Sequence, residues 1–316
     1  MYILVLKQLS IMALIVIGGF IFAKSFKIGE TEQKFLSKLL LYFINPCLVI
    51  SSFNLEFNSL KLRQFGFVAL ISLLIHCVMI LVAFTTIGRG KNKGGTFVSI
   101  ERVATVFTNC GFVGIPLIRG VFGDAGVFYL MGYLVIFNIL LWTYGYYQMC
   151  GSINLKKIIT NPNIIAVVVG IVIFCMPFTL PYFIIKPISM IGDLNTATSM
   201  ILLGILFADF KIPKAEGNKS WLLHLTKVTL LRLVVCVAVN LLVLFGVYML
   251  CKNMADIRMM LFVILICSAC PSATSVPSLS VLFNKNVSYA SLVVSVSSLF
   301  CIFTVPTFVA LAELIM

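Results

Sequence analysis

The stretch Gly111–Gly123, GFVGIPLIRGVFG, lies deep inside an apolar run yet carries its own helix-breaking residues. A second stretch, Ala273–Asn284 (ATSVPSLSVLFN), does the same. Each has a proline followed six residues on by a phenylalanine: Pro116 and Phe122, Pro277 and Phe283. The two prolines are 161 residues apart in a chain of 316. Proline lacks an amide donor and clashes with the preceding helical turn. Inside a bilayer, backbone groups freed this way are tolerated only where protein or a water-filled cavity receives them. Matched interruptions in corresponding positions of two halves point to a transporter's binding site.

Composition sets the class. Hydrophobic residues make up 61% of the chain, charged residues 10%, and mean hydropathy is +1.13. Soluble domains hold about 45–50% apolar and about 25% charged residues. The length accommodates about ten crossings of about 20 residues each and leaves no room for a soluble domain. Spans are expected near 4–23, 35–53, 65–87, 97–121, 125–148, 162–181, 185–209, 221–250, 258–283 and 288–313. The first run extends to Ala23 with no small-residue cleavage site before the following lysines, so it reads as a span and not a cleavable signal. Most of the ten cysteines lie within apolar runs (Cys77, Cys175, Cys236, Cys267, Cys301) and read as small buried hydrophobes. None has metal-ligand spacing, and His76 and His224 have no sequence neighbour to pair with, so no metal or other cofactor is expected.

Orientation follows from the 23 Lys and Arg. Fifteen fall in loops after odd-numbered spans, seven on the opposite side, and Arg232 lies within a span. By the positive-inside rule both termini face outward. The net charge of +13 is accounted for by this asymmetry and by contact with anionic lipid, without a nucleic-acid partner.

The 161-residue offset maps the third span into the eighth, the first onto the sixth, and the second onto the C-terminal part of the seventh. Five spans is an odd number, so a copy enters the membrane from the other side. The expected fold is an all-α membrane protein of ten helices in two inverted five-helix repeats, residues 1–155 and 156–316.

Several motifs resemble the auxin efflux carrier family, whose bacterial members include malate and other organic-acid permeases. The run Thr108-Asn109-Cys110-Gly111-Phe112-Val113-Gly114-Ile115-Pro116-Leu117 is similar to the fourth-span motif of that family. Asn45-Pro46-Cys47-Leu48, Asn161-Pro162-Asn163 with Gly170, Arg232-Leu233-Val234 and the run Pro271–Asn284 resemble its second, sixth, eighth and ninth spans. The long hydrophilic loop of the plant carriers is absent, reduced to about Met149–Thr160, and the second proline falls one residue late, which argues against auxin as substrate. The resemblance implies scaffold and transport domains each drawn from both repeats, a homodimer, and broken fourth and ninth helices crossing at mid-membrane. On this sequence the crossing maps to Gly114–Pro116 and Val276–Pro277, with free amides near Leu117–Ile118 and Ser278–Leu279. Helix N-termini of this kind bind anions through backbone amides.

The candidate substrate-binding set is therefore Asn109, Gly114, Pro116, Leu117, Asn45, Ser272, Thr274, Ser275, Pro277 and Ser278. Asn109 matches the family's substrate-binding asparagine, with bonding to a neighbouring helix as its ordinary reading. Asn45 lines the cavity or caps a kink at Pro46. Ser272, Thr274 and Ser275 contact substrate or back-bond to helix carbonyls. Intramembrane charges are costly and functional by default. Asp193 is thus a candidate carrier of a coupling proton, or an interface residue beside Lys186, and Arg232 a candidate to attract the anion or pair with a carboxylate. Arg119 lines the outward cavity or snorkels to the interface.

The expected activity is secondary transport of a small organic anion, a carboxylate such as malate, across the cell membrane by alternating access, with a proton or sodium as possible coupling ion. An ion-coupled symporter or antiporter of related fold, and a membrane substrate sensor, are the alternatives. An enzyme is not expected: the Gly-x-Gly-Asp and His-Glu-x-x-His signatures of intramembrane proteases are missing, and no P-loop is present for ATP.

Overall fold

The computed structural model describes residues 2–88, 97–151, 160, 162–176, 179–208 and 220–316. Eight of the basic residues used for orientation (Arg89, Lys91, Lys93, Lys156, Lys157, Lys211, Lys214, Lys219) lie outside them. The described elements are all helical. In chain order they are α1 (Tyr2–Phe26), α2 (Glu30–Leu39), α3 (Asn45–Ser52), α4 (Ser59–Thr86), α5 (Val98–Val106), α6 (Ile115–Leu140) and α7 (Tyr146–Cys150), followed by α8 (Pro162–Phe174), α9 (Tyr182–Ala208), α10 (Ser220–Leu230), α11 (Cys236–Cys251), α12 (Ile257–Ala269), α13 (Ser275–Leu282) and α14 (Val287–Ile315). Five-residue π turns join α2 to α3, α6 to α7 and α10 to α11, and a fourth, Cys110–Gly114, leads into α6. Among the described residues seven stretches are long and apolar enough to cross a bilayer, and α8 and α12 are shorter apolar helices. The longest, Cys110–Cys150, is kinked at Gly123, whose φ of 64° and ψ of −157° only glycine adopts readily.

The helices pack in two groups. In the first, α1 lies along α9, and α9 along α3, which packs on α8. Glycines set the closest approach: a Cβ on Gly204 would sit 2.1 Å from Val16 O, and one on Gly19 2.6 Å from Ile201 O. Hydrophobicity does not drive helices together within lipid, so small residues that let backbones meet supply the packing. The second group holds α4–α7 and α10–α14 around α12, which is buried from Met260 to Ala269 without interruption. A helix apolar on every face belongs in such a core. Large apolar side chains on the outside, such as Leu14, Leu70, Leu81 and Phe303, remain exposed where lipid would cover them. The chain's two ends meet: Tyr2 N donates to Glu313 Oε2 at 3.0 Å.

The helix breaks fall elsewhere than the sequence placed them. The chain is helical across both prolines: Pro277 sits in the first turn of α13, where a missing N–H costs little, whereas Pro116 follows the π turn Cys110–Gly114 within a helical stretch that has already begun. The carbonyl four residues before Pro116, Phe112 O, instead accepts from Ser199 Oγ of α9 at 3.2 Å. Pro46 repeats this arrangement, standing two residues beyond the π turn Leu40–Ile44 as Pro116 stands beyond Cys110–Gly114. The real breaks are Phe107–Asn109 and Cys270–Thr274. Phe107 is extended (φ −95°, ψ 129°), and so is Cys270 (φ −57°, ψ 155°), which precedes Pro271 and is steered away from the helical region by it.

Candidate substrate cavity at the crossed breaks

The two breaks bond to each other. Asn109 N donates to Pro271 O at 2.7 Å and Ala273 N to Phe107 O at 3.0 Å, so Thr108 and Ser272 face one another as an isolated antiparallel bridge. Ser272 is fully buried; its Oγ donates to Ala104 O at 2.9 Å and its N to Ser297 Oγ at 3.1 Å. These bonds receive backbone groups that the interrupted helices leave open, as a bilayer interior demands.

Arg232 completes the crossing from behind. It is fully buried on the π turn Leu231–Val235. Its guanidinium donates to Thr105 O at 3.0 Å, to Cys270 O at 3.1 and 3.0 Å, and to Ser268 O. These carbonyls close α5 and α12, the half-helices whose C-terminal ends carry partial negative charge. The expectation that Arg232 attracts the anion or pairs with a carboxylate is thereby corrected: its donors meet backbone carbonyls and Met79 Sδ, and it stands off the cavity wall.

In front of the crossing a cavity of 640 Å³ lies between the two helix groups. Asn109, Thr274, Ser275, Pro277 and Ser278 line it from the second group and Asn45 from the first. Gly114, Pro116, Leu117 and Ser272 do not, and the amides expected near Leu117–Ile118 and Ser278–Leu279 are within helix and not at its start. Gly114 instead packs the crossing: a Cβ there would meet Cys110 Cβ at 3.2 Å and Cys270 Sγ at 3.4 Å. Leu117 is core.

Among the described residues of the lining, Gln33 Nε2 on the first group's side is buried without a partner, and so are three atoms on the wall that the breaks build: Thr108 Oγ1, Asn109 Nδ2 and Ser275 Oγ. Both breaks contribute. A buried donor left unbonded costs about 1–3 kcal/mol, so a wall that carries three is built for something that accepts from them. On the opposite wall Asn45 Oδ1 accepts from Asn195 Nδ2, which ties α3 to α9. Among the described residues the lining holds no Lys, Arg, Asp or Glu; its polar members are amides and hydroxyls, among them Asn138, Ser288, Ser291 and Ser295, and Trp142 and Tyr42 supply aromatic surface. Asn138 is a lone polar residue in its apolar span and gave no local signal, whereas Ser288, Ser291 and Ser295 recur at helical spacing and could have been found as one stripe.

Asp193 also lies away from the cavity. Its carboxylate, half exposed, meets Arg119 Nη1 at 2.6 Å, and Arg119 Nε reaches Asp124 at 3.2 Å. The buried acid is Glu101, on α5, two helical turns before Asn109. An acid near the edge of the fourth span was its only sequence signal.

A family model described as membrane transport protein matches residues 4–154 and 148–309. The chain belongs to this family, of auxin efflux carrier type. No curated protein matches it. The transporter's cavity thus sits at the paired breaks of a multi-pass helical membrane protein, between two helix groups joined on one side by Arg119–Asp193 and by Gln8 Nε2 donating to Pro116 O at 3.4 Å.

Proposed function

We propose that this protein is a secondary carrier that binds a small organic anion, a carboxylate such as malate, at the crossed breaks and moves it by alternating access. The observation that carries this reading is the set of unpartnered buried atoms, Thr108 Oγ1, Asn109 Nδ2 and Ser275 Oγ, on one cavity wall. Amide and hydroxyl donors suit carboxylate oxygens, and the segment starts at Cys110 and Ser275 add the positive ends of helix dipoles.

We read ten crossings. The bend at Gly123 divides the 41-residue stretch into two limbs, and α8 and the α12–α13 pair add two more to the remaining six. An even number agrees with the contact between Tyr2 and Glu313. Two inverted five-helix repeats then place α5 and α12 as corresponding half-helices entering from opposite faces, which accounts for their antiparallel bridge. The first helix group would act as scaffold and the second as transport domain. Gln33, Ser37, Asn163, Leu206 and Ser288 line the cavity near loops that the charge asymmetry assigns to the cytoplasm. The form described here is therefore inward-open, with both termini outside and Arg119–Asp193 closing the far side. A second copy as partner rests on the resemblance to the family.

Uptake of labelled malate into proteoliposomes, with and without a pH gradient, tests the reading. Accumulation or exchange that unlabelled carboxylates compete away is expected. Absence of exchange for malate and for a panel of mono- and dicarboxylates overturns it.

A further inference from the structure

We propose that Glu101, His224 and Tyr289 form a proton-binding site that sets which face of the carrier is open. The proposal rests on the transporter reading above and adds to it the coupling ion and the residues that hold it.

Glu101 is 2% exposed in the first turn of α5. Its Oε1 lies 2.7 Å from His224 Nδ1 and accepts from Tyr289 OH at 3.0 Å. Three separate helices, α5, α10 and α14, thus converge on one carboxylate oxygen. Phe97 covers the site, its ring 4.1 Å from that of Tyr289 and 5.8 Å from that of His224. A carboxylate only accepts, so Nδ1 carries the hydrogen and Nε2 is the nitrogen that takes up or releases a proton. The His224 side chain is 31% exposed, which gives the proton a way in.

Among the described residues, the neighbouring charges bond elsewhere than to Glu101. Arg102 turns to Ile87 O at 3.0 Å and Gln148 Oε1 at 3.4 Å, and Lys227 of α10 donates to Thr86 O at 2.7 Å. Arg232 is bound to the crossing, and His76 of α4 bonds Ser72 O at 2.7 Å among Phe107, Tyr133 and Phe137. From α13 no ionisable side chain reaches the site, and α7 brings only its tyrosines and Cys150.

The position links proton to cavity in two ways. Along α5, Glu101 is followed by Ala104, Thr105, Thr108 and Asn109, which bind Ser272, Arg232, the opposing break and the cavity in turn. Across to α14, Tyr289 stands between Ser288 and Ser291, both on the cavity wall. Proton uptake converts a buried site of net charge −1 into a neutral imidazolium–carboxylate pair. Moving a net charge through a low-dielectric bilayer is costly, and moving a neutral pair is much less so. The protonated site is the one able to travel with its bundle.

Trp142 lines the cavity and Trp221 is the other tryptophan, so a Trp221→Phe protein reports the cavity by acrylamide quenching of a single fluorophore, with no substrate present. Quenching is expected to differ between acidic and alkaline buffer as the site gains or loses its proton. The open-to-closed ratio moves by at most about tenfold per pH unit, the limit for one proton. Adding Glu101→Gln or His224→Gln abolishes that pH response, and Tyr289→Phe shifts its midpoint. If Glu101→Gln does not fold, His224→Gln makes the same comparison. A flat response in the Trp221→Phe protein, or one that persists in both charge-site variants, overturns the proposal and leaves the triad a structural brace. Because the assay contains no anion, failure of malate uptake would not imitate either result.

Discussion

Arg232 donates from both Nε and Nη2 to the single carbonyl oxygen of Cys270, at 3.1 and 3.0 Å. One cation thereby binds the residue at which α12 stops, while Nη2 also donates to Ser268 O and Nη1 to Thr105 O. Lysine cannot reproduce a planar fork that serves three carbonyls. Arg232→Lys and Arg232→Leu should both destabilise the detergent-solubilised protein, since each orphaned buried carbonyl costs about 1–3 kcal/mol. Thermal unfolding measures this, and a Lys variant as stable as the parent contradicts the clamp.

Pro116 and Pro271 should behave differently. Pro116 sits where the helix has already begun, and Ser199 occupies the carbonyl that a new amide would seek. Pro116→Ala should change stability by no more than about 1 kcal/mol. Pro271 holds Cys270 extended and supplies the carbonyl that receives Asn109 N. Pro271→Ala permits α12 to continue and should reduce transport more than Pro116→Ala does. Equal effects in paired uptake and unfolding assays refute the ranking.

For Asn109 the expectation concerns affinity. Its Nδ2 is buried, unpartnered and on the cavity wall. A bond to a charged ligand is worth about 1.5–3 kcal/mol, so Asn109→Ala should weaken carboxylate binding about tenfold to more than a hundredfold. Stability should hold, because no protein bond to Nδ2 is lost. Unchanged apparent affinity in a well-expressed variant removes Asn109 from the binding set.

Arg119–Asp193 joins α6 of one helix group to α9 of the other, and both side chains are partly exposed. Such pairs contribute at most about 1 kcal/mol. Asp193→Asn should therefore leave thermal stability nearly unchanged while easing separation of the groups on that face. A cysteine at Gly111, where a Cβ has open space beside the cavity, should then react faster with an impermeant thiol reagent applied from the Asp124 face. Unaltered labelling would show that the pair does not close the far side.

The membrane class and the importance of Thr108–Leu117 and Pro271–Asn284 were legible in the sequence, because apolar runs and helix breakers act locally. The position of the breaks was not. Proline draws the eye, yet Pro277 occupies a first turn, where proline belongs, and Pro116 follows a π turn with the carbonyl it frees bonded to Ser199. At Phe107–Asn109 nothing in the residues themselves forbids a helix; the opposing break, 2.7 Å away through Asn109 N, holds the extended backbone. The same locality explains Arg232 and Glu101. A lone charge in a span announces a partner without naming it, and His224 lies 123 residues from the carboxylate it meets.

The contact between Tyr2 and Glu313 makes the order of the halves in the chain arbitrary. A short linker between these ends, with new termini opened between Gly151 and Thr160, would encode the segment matched at 148–309 ahead of the segment matched at 4–154. Circular permutation succeeds where the original ends lie close and the new ones fall at a connection. On the ten-crossing topology proposed above, such a permutant would place both termini on the opposite face from the native ones, so fluorescent or affinity fusions could be attached to the transporter from the side its own ends do not reach.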